Sequence, residues 1–134
     1  MSRWLAGKTD GRVALGRTAF GDILVFRDVR ACAAAEDLEG AAEACDVAMI
    51  EISFKKMTVL AWSPKQFLAQ LDDRKFQDAF LRRRLYTKVK ASLGDFADDE
   101  VYAFEPMLPR GGSEDADSVE RSNWSVYENL LFQV

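Results

Sequence analysis

Between Val47 and Gln66 the hydrophobic period of the chain changes from two to helical, and that change decides the class of fold. Val47 to Phe54 (VAMIEISF) and Met57 to Trp62 (MTVLAW) are dense apolar, β-favouring runs, with Lys55-Lys56 between them. The pair reads as a hairpin, although its turn lacks an Asn-Gly or Gly-Gly signature. Ser63-Pro64-Lys65-Gln66 then starts a helix. The serine can cap, proline suits the first helical position, and a glutamine three residues on completes a capping box.

Helical spacing continues downstream. Phe67, Leu68 and Leu71 form one apolar stripe, and Asp72-Asp73 ends that helix and caps the next. Phe76, Phe80 and Leu81 face inward, and Leu85, Val89 and Leu93 keep a four-residue spacing up to Gly94, a C-terminal cap. Upstream, Arg12 to Phe26 reads as two strands with a turn near Gly16, the second largely buried. Residues 28–46 are alanine-rich but interrupted by Gly40, which predicts a surface insertion with one short helix. Residues 1–11 are polar and glycine-rich and read as flexible.

The segment from Asp98 to Glu120 opens as a strand. Val101 and Ala103 fall on one face, and Tyr102 and Phe104 on the other. Pro106 ends it, because proline cannot donate to a ladder. Gly111-Gly112 predicts a tight turn, with an anion nest at Gly111-Gly112-Ser113 the less favoured reading. Asn123 caps a closing helix that carries Trp124, Tyr127, Leu130 and Leu131. The expected fold is α+β, with a mainly antiparallel sheet of about four to five strands covered by helices on one face. No repeat or linker divides the 134 residues, so 1–134 is expected to be one domain.

Chemistry is narrowed mainly by what is missing. The chain has no histidine, which removes Ser-His-Asp and Cys-His catalysis and the usual metal sites. Cys32 and Cys45 are read as free thiols in a reducing cytoplasm. No apolar run approaches the roughly 20 residues that span a bilayer, and the N-terminus lacks the core of a signal peptide. A cytoplasmic protein without cofactor or metal is expected.

Charge is segregated along the chain. Asp95 to Glu120 holds nine acids and one base, Arg110, a local net of −8. Asp98, Asp99, Glu100, Glu114, Asp115 and Asp117 are the candidate partner-binding charges, with Tyr102 as an aromatic anchor. The plainer reading is solvated loop charge that also caps the last helix. A calcium loop is disfavoured by the missing EF-hand spacing. Arg74 to Lys90 holds seven bases and one acid, Asp78. The overall net charge of −4 and the lack of interleaved aromatics favour a solvated helix face there over nucleic-acid contact.

Three stretches carry a family resemblance. Thr18-Ala19-Phe20-Gly21-Asp22-Ile23-Leu24 resembles a "TAFGD" strand. Phe67-Leu68, Phe80-Leu81-Arg82 and Leu85-Tyr86 resemble the helical middle of the same family. Asp99 to Pro106, followed by Gly111-Gly112-Ser113-Glu114, resembles its "DE-x-Y-G-F-x-P…GGSE" segment, with Ala103 in place of the glycine. The family is the C-terminal domain of type VI secretion immunity proteins of the GAD-like/Tdi type. The resemblance covers Arg17 to Val134 and leaves the N-terminal GAD-like half without a counterpart. It implies a non-enzymatic cytoplasmic bacterial protein that binds and neutralises a cognate effector toxin, a DNase in the best-known members. In that reading Phe20, Gly21, Asp22, Gly111, Gly112 and Ser113 are structural, with Asp22 and Ser113 capping turns or pinning the loop. The alternative is a ligand- or partner-binding regulatory module with a pocket lined by Tyr102, Phe104 and Trp124. An enzyme using paired carboxylates ranks behind both.

Overall fold

The computed structural model describes residues 12–27 and 45–133. The expected flexible start and nearly all of the expected insertion lie outside them. Four strands form one antiparallel sheet in sequence order: β1 (Arg12–Arg17), β2 (Ile23–Arg27), β3 (Val47–Glu51) and β4 (Lys56–Ala61). Gly16 is not a turn residue as expected. It lies inside β1 opposite Leu24, just past a bulge that follows Ala14. The chain reverses instead at Thr18–Asp22, where the Thr18 amide donates to the Asp22 carbonyl at 2.7 Å and the Gly21 amide to the Thr18 carbonyl at 3.0 Å.

The hairpin between β3 and β4 forms, but β3 stops at Glu51 rather than Phe54. The Ile52 amide leaves the ladder to donate to Asp22 Oδ1 at 3.2 Å. The turn then closes through Lys55, whose φ of 52° is left-handed.

The helical stretch is three helices: α1 (Pro64–Leu71), α2 (Arg74–Phe80) and α3 (Arg83–Leu93). Ser63 Oγ accepts from the Gln66 amide at 3.1 Å, and Gln66 Oε1 accepts in return from the Trp62 amide at 2.8 Å. The capping box is therefore present, shifted back by one residue on its return bond. Asp73 caps α2 through the Lys75 amide, and Gly94 ends α3 with φ 72°. The stripe expected to run unbroken from Phe76 to Leu93 is interrupted, because Arg82 takes a left-handed φ of 52° between α2 and α3.

Beyond α3, β5 (Glu100–Phe104) pairs antiparallel with β6 (Val119–Asn123) as a separate two-stranded sheet. β6 is a strand the acid-rich sequence does not announce. The chain closes with α4 (Trp124–Phe132), capped by Asn123 Oδ1 accepting from the Val126 amide at 3.1 Å.

Side-chain alternation assigns each face of the large sheet to its own cover. Leu24, Phe26, Val47, Met49 and Leu60 pack against Phe67, Phe76 and Phe80 of α1 and α2. On the opposite face Ile23, Val25, Ala48 and Ile50 pack against Val101 and Ala103 of β5 and Tyr127 and Leu131 of α4. The other side of β5 is apolar too: Tyr102 and Phe104 pack with Phe20 and with Leu85 and Val89 of α3. A strand buried on both sides explains why 101–104 reads as one continuous apolar run. Cys45 is buried and disulfide-bonded, which corrects the free-thiol expectation for that residue. Cys32 lies outside the described residues.

Candidate functional site

The resemblance-bearing stretches meet at one side chain. Arg82, held at the break between α2 and α3, donates from Nη1 to Asp22 Oδ2 at 2.8 Å and from Nε to Glu114 Oε1 at 2.9 Å. Its guanidinium carbon lies 5.9 Å from the Phe20 ring centre and 5.6 Å from that of Phe104. The "TAFGD" turn, the helical middle and the "GGSE" loop are thus tied by an Asp22–Arg82–Glu114 triad on an aromatic floor.

Each neighbouring motif residue has a steric reason. Gly21 has φ 91°, and a Cβ there would sit 2.8 Å from a ring carbon of Trp124. A Cβ on Gly112 would fall 1.9 Å from the Pro106 carbonyl oxygen. Gly111 takes φ 87°, and Ser113 Oγ donates to Asp115 Oδ2 at 2.6 Å. Phe20 is buried against Tyr102 and Phe104.

Burial sets the direction of the Asp22 titration. Asp22 has 3% of its side chain exposed, and that burial pushes its carboxyl above the ordinary value of 3.8, against the opposing pull of Arg82 and the Ile52 amide. Burial acts to lower Arg82, but Asp22 and Glu114 beside it hold it above its usual value. A buried acid with a raised pKa is one mark of a catalytic carboxylate. Here the acid faces the Arg82 guanidinium and the Ile52 amide. Among the described residues no group of three or more His, Cys, Asp or Glu is placed to hold a metal ion.

The acid segment does not form one patch. Asp98, Asp99 and Glu100 lie where β5 begins, whereas Glu114, Asp115 and Asp117 lie in the loop entering β6 beyond the Phe104–Val119 pair. The length of β5 separates the two groups by about 14 Å. Near the first group, the Asp99 carbonyl accepts from the Trp124 amide at 2.7 Å, and Glu100 Oε1 accepts from the Ala97 amide at 3.0 Å. Asp98, Asp99, Asp115 and Asp117 are exposed. Tyr102 is fully buried, with its hydroxyl donating to the Gly94 carbonyl, so it is core and not an exposed anchor. The pocket expected from Tyr102, Phe104 and Trp124 is not formed by them. The first two are buried, and Trp124 lies half-buried over Gly21.

Arg82 is the residue that sequence reasoning underrated. It appears there as one of seven bases on a solvated face and as the last residue of the Phe80-Leu81-Arg82 resemblance, with no role assigned to it. Its neighbours Arg83 and Arg84 disguise it, and only the left-handed backbone between two helical stripes separates it from them.

The comparisons with known proteins bear on this arrangement directly. The model of a family described as "T6SS immunity protein Tdi1, C-terminal" matches residues 61–134, more than half of the chain. No curated protein matches the chain. The matched residues run from the end of β4 through α4 and include Arg82 and the "GGSE" loop. The chain therefore belongs to the family of type VI secretion immunity proteins defined by this C-terminal domain.

Proposed function

We propose that this protein binds a cognate secreted effector and neutralises it by occlusion, without catalysis of its own. The observation that carries the reading is the family match across 61–134. Immunity by binding requires a rigid surface and a partner, and it asks for no nucleophile, metal or cofactor. A nuclease effector fits the charge. The two acidic groups, Asp98, Asp99 and Glu100 on one side and Glu114, Asp115 and Asp117 on the other, suit a basic protein built to hold phosphates. The cytoplasm is where such a toxin would have to be met. Phe20, Gly21, Asp22, Gly111, Gly112 and Ser113 serve this role indirectly, by holding the loop that carries the second group.

The test is co-expression with a toxin domain drawn from the genomic neighbourhood of this gene. Cells that survive only when this protein is present, together with a stoichiometric complex on gel filtration, support the reading. A toxin that kills equally with and without it refutes the reading.

A further inference from the structure

A groove of about 390 Å³ runs between the Thr18–Ala19 turn and the α2–α3 break. Ala19, Leu24, Leu81 and Tyr86 give it an apolar floor, and Arg17 and Arg83 stand at its rim. All six are only partly buried, so the floor is open to a visitor. The size is that of an ordinary binding cavity, and the chemistry of the rim is one-sided. Arg83 donates to both carboxylate oxygens of Asp78, at 2.9 and 3.2 Å, and the same carboxylate lies 3.6 Å from Arg84 outside the groove, so one carboxylate balances two guanidinium groups. Arg17 donates to the Asp98 backbone carbonyl and stacks 5.1 Å over Trp124, and neither contact neutralises its charge. The exposed Lys88 on α3 extends the positive character away from the groove.

The geometry points to this groove as the docking site for an effector segment in which a bulky apolar side chain is flanked by carboxylates. The apolar floor takes the side chain, and Arg17 and Arg83 meet the acids. Nucleic acid fits less well, because the floor is apolar and, among the described residues, no row of exposed aromatics continues from it. The partner's being an effector protein rests on the function proposed above, but the groove's preference for acidic apolar segments does not.

The deciding experiment is a ¹⁵N-HSQC titration of the whole chain with three probes: the capped peptides Asp-Leu-Phe-Asp and Lys-Leu-Phe-Lys, and a short oligothymidine. The acidic peptide is expected to move the resonances of Ala19, Leu24, Leu81 and Tyr86. Arg17→Gln, or Arg83→Gln should the first variant disturb the spectrum, should weaken that binding about fivefold. Equal or tighter binding of the basic peptide, a groove response to oligothymidine alone, or no response to either peptide overturns the proposal. The purified effector supplies the second arm. An effector affinity unchanged by Arg17→Gln and Arg83→Gln removes the groove as its dock and leaves immunity standing. An effector that does not bind at all, alongside an acidic peptide that does, refutes the immunity reading and keeps the groove.

Discussion

Asp22 lies 2.8 Å from a guanidinium with almost none of its side chain in water, and what that pair contributes depends on which partner is removed. Burying two charges costs most of what their attraction returns, but a buried charge left alone costs several kcal/mol. Arg82→Met strands the Asp22 carboxylate and should destabilise the fold by about 3 kcal/mol. Asp22→Asn keeps an acceptor for the Ile52 amide and for Arg82, and should cost much less. Adding Asp22→Asn to Arg82→Met should recover a large part of the loss. Urea unfolding of the four proteins measures this, and strictly additive costs would mean that the two side chains do not act as a pair. The titration follows from the same geometry. Because the folded state raises the Asp22 carboxyl above 3.8, the stability this group contributes is fully present below that pH and is lost as the pH rises through the folded value. The stability of wild type relative to Asp22→Asn should therefore decline from acid toward neutral pH. A difference that grows with pH would show that pairing outweighs burial. Gly112→Ala is simpler: its methyl meets the Pro106 carbonyl oxygen, and a loss of about 3 kcal/mol is expected in the same assay.

Caps and breaks are the features that order the elements, and they were legible to different degrees. Ser63, Asp73, Gly94 and Asn123 were all readable, because a cap is a local bargain between one side chain and the amides next to it. Asn123→Ala should lower stability by about 1 kcal/mol, and a change within error would show that α4 is held by Tyr127 and Leu131 alone. The α2–α3 break could not be read that way. The partner that Arg82 reaches from that left-handed position is Asp22, sixty positions away in the sequence. The amide of Ile52, just past the end of β3, also goes to Asp22. β6 was missed because Glu120, Arg121 and Ser122 carry no alternating apolar pattern. Its strand state comes from pairing with β5, whose own apolar run was plain. The Gly111-Gly112 turn was readable, but the Thr18–Asp22 turn, expected near Gly16, and the side chain that joins the two were not. Local chemistry marks a glycine in a tight turn, whereas a charge that crosses the fold leaves no local trace.

At the scale of the whole molecule, the fold converts one acidic stretch of sequence into two separated charge groups, and this alters what the charge can do in binding. A single patch would resemble a hot spot, with affinity lost when it is neutralised. Two groups about 14 Å apart, further than a Debye length at physiological salt, do not act as one patch, and their exposed carboxylates act mainly by steering the approach of a basic partner. Their expected contribution is to the encounter with a basic effector more than to the lifetime of the complex. Asp98, Asp99, Asp115 and Asp117 are the charges to change, because Glu114 also holds Arg82 and Glu100 also accepts from Ala97, whereas Asn at 115 keeps an oxygen that can accept from Ser113. With all four converted to Asn, the association rate with the effector measured by stopped flow should fall by about tenfold at low salt. Its dependence on ionic strength should flatten, and the dissociation rate and urea midpoint should stay close to wild type. A dissociation rate that rises instead, with association unchanged, would place these carboxylates inside the contact. The two acidic groups would then have to be bridged by an effector surface spanning the β5–β6 hairpin.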